Sequence, residues 1–435
     1  MRGRVKVDKS THPTREQTAA NQLQKLNVLL SEIIPSNRFY ASKLNAPSTP
    51  PAYLNLTEFH NNCPTTQKVE LVDDQANHPP YGSALTYPVS QYTRFNLTSG
   101  TTGQPLRWLD TPESWAWMLD NKSMIYRSAD VTPEDRIFFP FSFGPFLGFW
   151  LAFEAATRIG CLCFPGGGLS SRDRIQTIVD QEITVVCCTP TYAIRLAQVA
   201  GENGLDTAQS KVRAIIVGGE SGGSDPGVVS RIEALWPGAR VYDHHGMTEI
   251  GSVSYACPDR PSILHIIESA YLAEVVTPQT LKPIRPGEVG ELILTNLGRQ
   301  GTPLLRYRTG DRGMPEVPGQ CVCGTSDLAL AGGILGRTDD MVVIRGINVF
   351  PSSIDRILNG FKEILEYQVQ IRETRGLPEL SLRLELNSEV RARNNVSDLV
   401  RAALRSSLTL NIPVEVVESG TLPRFEMKAK RWVRQ

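Results

Sequence analysis

The sequence predicts an α/β protein: a large N-terminal body of parallel sheet and helices that carries a β-rich subdomain, followed by a small α+β domain. Three observations lead there. From Pro133 to Ala256 short apolar runs alternate with longer amphipathic ones, and after about Cys257 the texture changes to alternating strands with turn residues. A polar "GRTDD" (Gly336–Asp340) then separates the body from roughly the last hundred residues, a size that suits a domain of its own. A chain of 435 residues also exceeds what one hydrophobic core normally organises.

Taken in order, the first ninety residues carry no distinctive pattern. Then "RIFFPFSFG" precedes "FLGFWLAFEAATRIG", "CLCFPGG" precedes "SSRDRIQTIVDQE", "TVVCCTP" precedes "TYAIRLAQVAGENG", and "VRAIIVGG" precedes "DPGVVSRIEALWPG". Strands rich in Val, Ile and Cys followed by helix-period segments indicate βαβ units. Ser170 or Ser171 can cap the second helix, and Asp225 before Pro226 is an N-cap with proline at the first helical position. "AYLAEVV", "PGEVGELILTNL" and "TPLLRYRTGD" read as the strands of the β-rich subdomain. The tail reads β-β-α-β-β-α-β, from "MVVIRG" to "PVEVVES".

Hydrophobic residues at 41% and charged residues at 21% allow a sizeable core. Lys plus Arg balance Asp plus Glu, 45 against 45, so no global field draws the chain to nucleic acid or an anionic membrane. The basic N-terminus lacks a following apolar run. The most apolar stretch, Ile137–Phe153, is broken by Pro140, Gly144, Pro145 and Gly148 and reads as core or pocket wall. A cytoplasmic location is therefore expected, with the eight cysteines as thiols or metal ligands. Cys63, Cys161, Cys163, Cys187 and Cys188 read as small core residues.

"TSGTTG" (Thr98–Gly103) concentrates hydroxyls and glycines, the means by which a curled backbone converges donors on phosphate, and also the make-up of an exposed turn. Gly100 and Gly103 are too close for a Walker A loop, and Gln104-Pro105 stands where Lys-Ser would. "GGESGG" fits a G-x-S-x-G nucleophile elbow at Ser221, with Asp243 and then His244 or His245 in hydrolase order. They come on the very next predicted strand, which leaves no room for the rest of a hydrolase sheet. "YDHHGMTEIG" sits at a strand's C-terminal end, where open α/β sheets bind ligands. "RYRTGD" and "GRTDD", taken singly, are charged turns. Cys257, His265, Cys321 and Cys323 have the count and softness of a tetrahedral structural Zn²⁺ site with no open position.

In series, "TSGTTGQP", "GMTEIG", "RYRTGD", "GRTDDMVVIRGINVFP" and a lysine in "LPRFEMKAKRW" resemble the core motifs of the adenylate-forming superfamily of acyl-coenzyme A synthetases. The wording "RGINVFPSSID", and "LPR" before the final lysine, resembles its phenylacetate-coenzyme A ligase branch, some members of which carry a similar Cys/His set. The likeness runs from about Arg94 to the C-terminus. It implies an adenylation domain over residues 1–336 with ATP, acyl and zinc sites, and a mobile lid over 337–435 hinged near Asp339.

The resemblance also implies residue roles. Thr98, Ser99, Gly100, Thr101, Thr102 and Gly103 would wrap the β- and γ-phosphates, Thr248 would contact the α-phosphate, and Glu249 would hold Mg²⁺. His245, before Gly246 and where tyrosine is usual, would stack on adenine. Asp311 would bind the ribose, Arg337 the nucleotide, and Gly346 would leave space for the thiol of coenzyme A. Lys428 is the implied catalytic lysine, preceded by Met427 where glycine is usual, with Lys430 as the neighbouring candidate. Phe141, Phe143, Phe146 and Gly219, with Glu220 and Ser221 at the strand end, would form a flat slot for an aryl or arylacetic acid. ATP, Mg²⁺, coenzyme A and structural Zn²⁺ are the expected cofactors. A carrier-protein thiol or an amine is the alternative acceptor, and a homodimer is left open. Serine hydrolysis at Ser221 is the rival chemistry, and a non-catalytic nucleotide binder would not need these motifs intact.

Overall fold

The computed structural model describes residues 12–46, 49–98, 105–344, 347–374, 377–387, 390, 393–425 and 428–434. At its centre five parallel strands lie in the order Leu162–Pro165, Arg136–Phe139, Val185–Cys188, Ala214–Val217, Arg240–Asp243. Alternate residues of the inner strands enter different cores. Ile137, Phe139, Val185, Cys187, Ala214 and Ile216 join one cluster; Phe138, Val186, Cys188, Ile215 and Val217 join the other. Both faces are covered, which is why these strands read as unbroken apolar runs rather than alternating ones.

The crossover helices are Leu147–Ile159, Ser171–Asp180, Pro190–Glu202 and Pro226–Leu235. Of the two candidate caps, Ser170 is used: its side chain accepts from the Asp173 N–H, while the Ser171 hydroxyl meets that of Tyr192 at 2.9 Å. Asp225 caps its helix by accepting from the Gly227 and Val228 N–H groups. The apolar stretch at Ile137–Phe153 divides into a strand, an aromatic turn and a helix, and no described helix is long and apolar enough to cross a membrane.

The β-rich part holds the predicted antiparallel strands Tyr271–Val276, Gly290–Asn296 and Tyr307–Gly313. A second three-stranded sheet, Ser254–Ala256, Ile263–Ile266 and Ala329–Ala331, was not separated in the sequence reading. The N-terminal segment, featureless in sequence, forms helices Arg15–Ile33, Arg38–Lys43, Leu56–Asn62 and Lys68–Asn77. Thr14 and Gln17 make a capping box for the first. Leu26, Leu29, Leu30 and Ile33 then pack on Leu272, Leu297 and Leu305 of the β-rich part.

The C-terminal part follows the predicted order and adds a strand. Its sheet runs Val414–Val417, Leu377–Leu386, Ile364–Thr374, Trp432–Arg434, with helices Pro351–Asn359 and Arg393–Leu408. The added strand, Trp432–Arg434, is too short to carry a pattern, yet it anchors the chain just beyond Lys428. This part has its own core, including Ile344, Val349, Ile354, Leu358, Val369, Leu382 and Val400. Among the described residues no apolar cluster spans it and the body. Contacts between them include Arg231 Nη2 donating to the Leu365 carbonyl at 3.3 Å, Ser352 Oγ donating to the Leu335 carbonyl at 2.5 Å, Arg356 at 3.7 Å from Asp225, and the Arg312 guanidinium 3.8 Å from the Phe350 ring centre.

Candidate active site

The motifs meet at the C-terminal edge of the central sheet. Strands Arg94–Leu97 and Arg107–Asp110 pair antiparallel around the hydroxyl-rich loop. Thr98 closes its base: the Thr98 N–H donates to the Leu106 carbonyl at 3.1 Å, and the Leu106 N–H donates to Thr98 Oγ1 at 2.9 Å. Ser99, Gly100, Thr101, Thr102 and Gly103 lie outside the described residues, as do Gly346 and Met427.

The "GMTEIG" segment folds back on itself, Gly246–Met247 pairing with Gly251–Ser252. A Cβ at Gly246 would lie 2.6 Å from the Gly251 carbonyl oxygen, so only glycine fits. Glu249, 6% exposed, has Lys68 Nζ at 3.1 Å and accepts from the Tyr307 hydroxyl at 3.5 Å. The turn is pinned from beneath by Arg299, which is wholly buried. Its Nη1 donates to the Thr248 and Glu249 carbonyls, both at 2.9 Å, and its other nitrogens clamp Asp110 at 2.6 and 2.7 Å. Sequence reasoning missed Lys68, Asp110 and Arg299. No motif contains them; an arginine placed just after the buried strand Gly290–Asn296 was the one available signal.

"RYRTGD" and "GRTDD" are one unit in space. The Thr338 N–H donates to the Gly310 carbonyl at 2.7 Å and the Arg312 N–H to the Gly336 carbonyl at 2.8 Å. This brings Arg337 Nη1 to 3.3 Å from Asp311 Oδ1, while the same guanidinium clamps Asp339 with two bonds of 2.8 Å. His245 faces the cluster, its Nε2 3.0 Å from Asp311 Oδ2. The expected adenine-stacking and ribose-binding groups therefore touch each other.

Lys428 reaches this edge from the C-terminal part. Its Cε lies 3.9 Å from where a Cβ on Gly219 would be, and Gly219 has a φ of +87° that favours glycine. Loss of water holds the Lys428 pKa below the ordinary lysine value, and the carboxylate of Glu220 opposes that shift. Glu220, expected to line an acyl slot, instead grips two backbones: its Oε1 accepts from the Thr191 N–H at 2.7 Å and its Oε2 from the Ala429 N–H at 3.1 Å. It docks the lysine's own segment.

Ser221 is exposed and makes no hydrogen bond to an imidazole among the described residues. Asp243 accepts from Ser224 Oγ at 2.6 Å and His244 Nε2 meets Lys122 Nζ at 2.9 Å, so the hydrolase relay is not assembled. Ser221 lines a cavity of about 400 Å³ that also involves Tyr367, Arg424 and Arg431 of the C-terminal part.

Phe141, Phe143 and Phe146 are half-buried in an aromatic group that also takes in Phe149 and Trp150. Phe141 stacks on Phe149 at 4.3 Å between ring centres, Phe143 tilts on Trp150 at 4.9 Å, and Phe146 meets Phe149 edge-on at 5.9 Å. The Leu97 N–H donates to the Pro145 carbonyl at 2.8 Å, tying this turn to the strand that enters the hydroxyl-rich loop.

The Cys/His set converges away from these motifs. The ligand atoms of Cys257, His265, Cys321 and Cys323 all lie within 4.8 Å of one another. Cys257 Sγ is 3.7 Å from Cys321 Sγ, close to the roughly 3.8 Å edge that tetrahedral Zn–S bonds of about 2.3 Å require. His265 Nδ1 lies 3.3 Å from the Asp327 carbonyl, which leaves Nε2 facing Cys323 Sγ at 3.6 Å. All eight thiols are free, and Cys63, Cys161, Cys187 and Cys188 are buried.

The fold and this site define an AMP-binding, adenylate-forming enzyme. The family model for the AMP-binding enzyme matches residues 89–298 and that for the AMP-binding enzyme C-terminal domain matches 346–435, together more than half of the chain. The chain belongs to this family. The phenylacetate-coenzyme A ligase of Thermus thermophilus is 29% identical over 377 residues, 86% of this chain and 82% of the relative. That of Escherichia coli is 28% identical over 439 residues, 98% and 97% of the two chains. Among solved structures, 2-hydroxyisobutyryl-CoA ligase in the postadenylation state with 2-HIB-AMP superposes with a TM-score of 0.90 at 26% identity, covering 99% of this chain and 95% of the other. The same ligase in the thioesterification state with coenzyme A gives 0.71 at 27% identity, over 98% and 94%. This chain thus overlays far better on the arrangement that follows adenylation.

Proposed function

We propose that the chain is an ATP-dependent aryl or arylacetic acid:coenzyme A ligase. A carboxylate oxygen attacks the α-phosphorus of ATP and pyrophosphate leaves; a thiolate then attacks the acyl carbon and AMP leaves. The observation that carries this reading is Lys428 held at Gly219 and Glu220, on the edge that also bears Thr248 and Glu249. An ammonium there neutralises charge that develops on the α-phosphate.

The remaining roles follow by position. Thr98 and the loop after it would hold the outer phosphates, Thr248 the α-phosphate, and His245, Asp311 and Arg337 the nucleoside. Bound nucleotide would replace the contact between His245 and Asp311 with contacts of its own. Glu249 fits Mg²⁺, which takes one or two protein carboxylates together with phosphate oxygens and water: it is a buried carboxylate whose charge partner among the described residues is Lys68. When bound, the ion would supply positive charge to the phosphates. The body over 1–336 and the lid over 337–435 would turn about Asp339, withdrawing Lys428 and bringing the segment around Gly346 toward the thiol. Phe141, Phe143 and Phe146 support an aromatic acid, since their rings offer flat apolar faces on a turn tied to strand Arg94–Leu97.

ATP–pyrophosphate exchange across a panel of aromatic and aliphatic acids tests the reading, because it identifies the acid before any acceptor is added. Exchange with aryl or arylacetic acids, followed by thioester formation with coenzyme A, is expected. No exchange with any acid would sink the ligase, and transfer only to a phosphopantetheinyl carrier or an amine would reassign the acceptor.

The Cys257–His265–Cys321–Cys323 cluster is proposed as a structural Zn²⁺ site that staples the loop around Cys321 to the sheet Ser254–Ala256, Ile263–Ile266. Elemental analysis of the purified chain should find about one zinc per molecule, and Cys321→Ser with Cys323→Ser should lose it and melt at lower temperature. Metal-free protein whose melting a chelator does not move would refute the site.

A further inference from the structure

We propose, resting on the ligase reading, that Lys122 and His244 form a polar end to the acyl pocket and select acids that carry a second oxygen acceptor besides the carboxylate that is adenylated. Lys122 sits within helix Pro112–Ser128 and is 3% exposed. Its ammonium meets His244 Nε2 at 2.9 Å, and among the described residues no carboxylate pairs with it. An ammonium has three N–H donors, and the imidazole engages one. Among the described residues His244 Nδ1 is buried without a partner. Burial brings the Lys122 pKa down to about 8, so the group stays protonated at neutral pH. Burial and the neighbouring Lys122 hold His244 far below the usual histidine range. The imidazole is therefore neutral: Nε2 accepts from the ammonium and Nδ1 carries the ring hydrogen.

A buried cation with unfilled donors is costly unless something pairs with it, and such groups concentrate at functional sites. The position of this one is specific. His244 directly follows strand Arg240–Asp243, and its N–H donates to the Val217 carbonyl at 3.0 Å. A Cβ on Gly218 would lie 2.8 Å from His244 Nε2, and the next residue, Gly219, is the one Lys428 approaches. Lys122 lies 5.6 Å from the ring centre of Tyr126, a member of the cluster against which Phe141 and Phe143 pack. The pair thus adjoins the strand end Gly218–Gly219 that Lys428 approaches. A purely apolar ring would leave its donors unmet; a hydroxyl, oxo or carboxylate oxygen on the far side of the ring would satisfy them.

The test compares phenylacetate with its hydroxyphenylacetate and phenylenediacetate counterparts in ATP–pyrophosphate exchange by the wild-type chain. The oxygen-bearing acids should lead in kcat/KM by roughly 10- to 100-fold, the discrimination a hydrogen bond to a charged group supplies. Lys122→Met with His244→Ile, apolar replacements of similar volume, should reverse the ranking. The ratio between acids is the readout, so a general loss of active enzyme cancels, and the wild-type ranking stands alone if the variant does not fold. Equal or better use of unsubstituted phenylacetate by the wild type, or a ratio the double variant does not move, overturns the proposal. Exchange with no acid of any kind overturns the ligase reading instead.

Discussion

Lys428→Ala is expected to slow ATP–pyrophosphate exchange by about 10²- to 10³-fold, the loss typical of removing one preorganised group from a developing oxyanion. Transfer from a preformed acyl-adenylate to coenzyme A should stay near the wild-type rate, because the role proposed for the lysine ends with adenylation. The split between the two half-reactions distinguishes this from misfolding, which would depress both. Lys430→Ala should leave exchange within a few-fold of wild type, and equal losses for the two lysines would unseat the assignment. Ser221→Ala is the counter-test: its hydroxyl meets no imidazole, so exchange should survive, whereas a hydrolase would lose everything. The pH profile adds a direction. The reactive ammonium is present below its pKa, and loss of water lowers that pKa, so exchange should fail on the alkaline side earlier than an ordinary lysine would predict.

Arg299→Leu is expected to cost about 3–5 kcal/mol of stability, measured by urea unfolding, since it strands Asp110 as a buried carboxylate. Adding Asp110→Leu should restore much of the loss, because the unpaired charge is the larger penalty. If the double variant is no more stable than the single one, the cost lies in the bonds to the Thr248 and Glu249 carbonyls instead. Either way exchange should fall, since the turn that carries both residues loses its anchor.

The parallel sheet was legible because its strands are covered on both faces, so Val185–Cys188 and Ala214–Val217 appear as plain apolar words between helix-period segments. The motifs were legible because each lies in one short stretch. Pairings between stretches were not. Nothing near Glu249 in the sequence points to Lys68, which arrives from a segment without pattern, and nothing joins Asp110 to Arg299 before the fold does. Glu220 illustrates the same limit: its place at a strand end suggested a pocket wall, while its partners, the Thr191 and Ala429 amides, come from segments far apart in the sequence. The strand Trp432–Arg434 after Lys428 was not legible, because three residues are enough to add a strand to an existing sheet edge but too few to show alternation.

Among the described residues the body and the C-terminal part share no apolar cluster, and this has a mechanical meaning. A greasy seam has to be torn open all at once, exposing oil to water; a seam of amides, guanidinium groups and carboxylates exchanges its partners for water one at a time. Each such contact is worth on the order of 1 kcal/mol net. Under the proposed lid motion such a joint would act as a bearing rather than a weld: reorienting the C-terminal part need not disturb either core, and added salt should loosen the ionic share of the grip at Arg356 and Asp225 while leaving both halves folded.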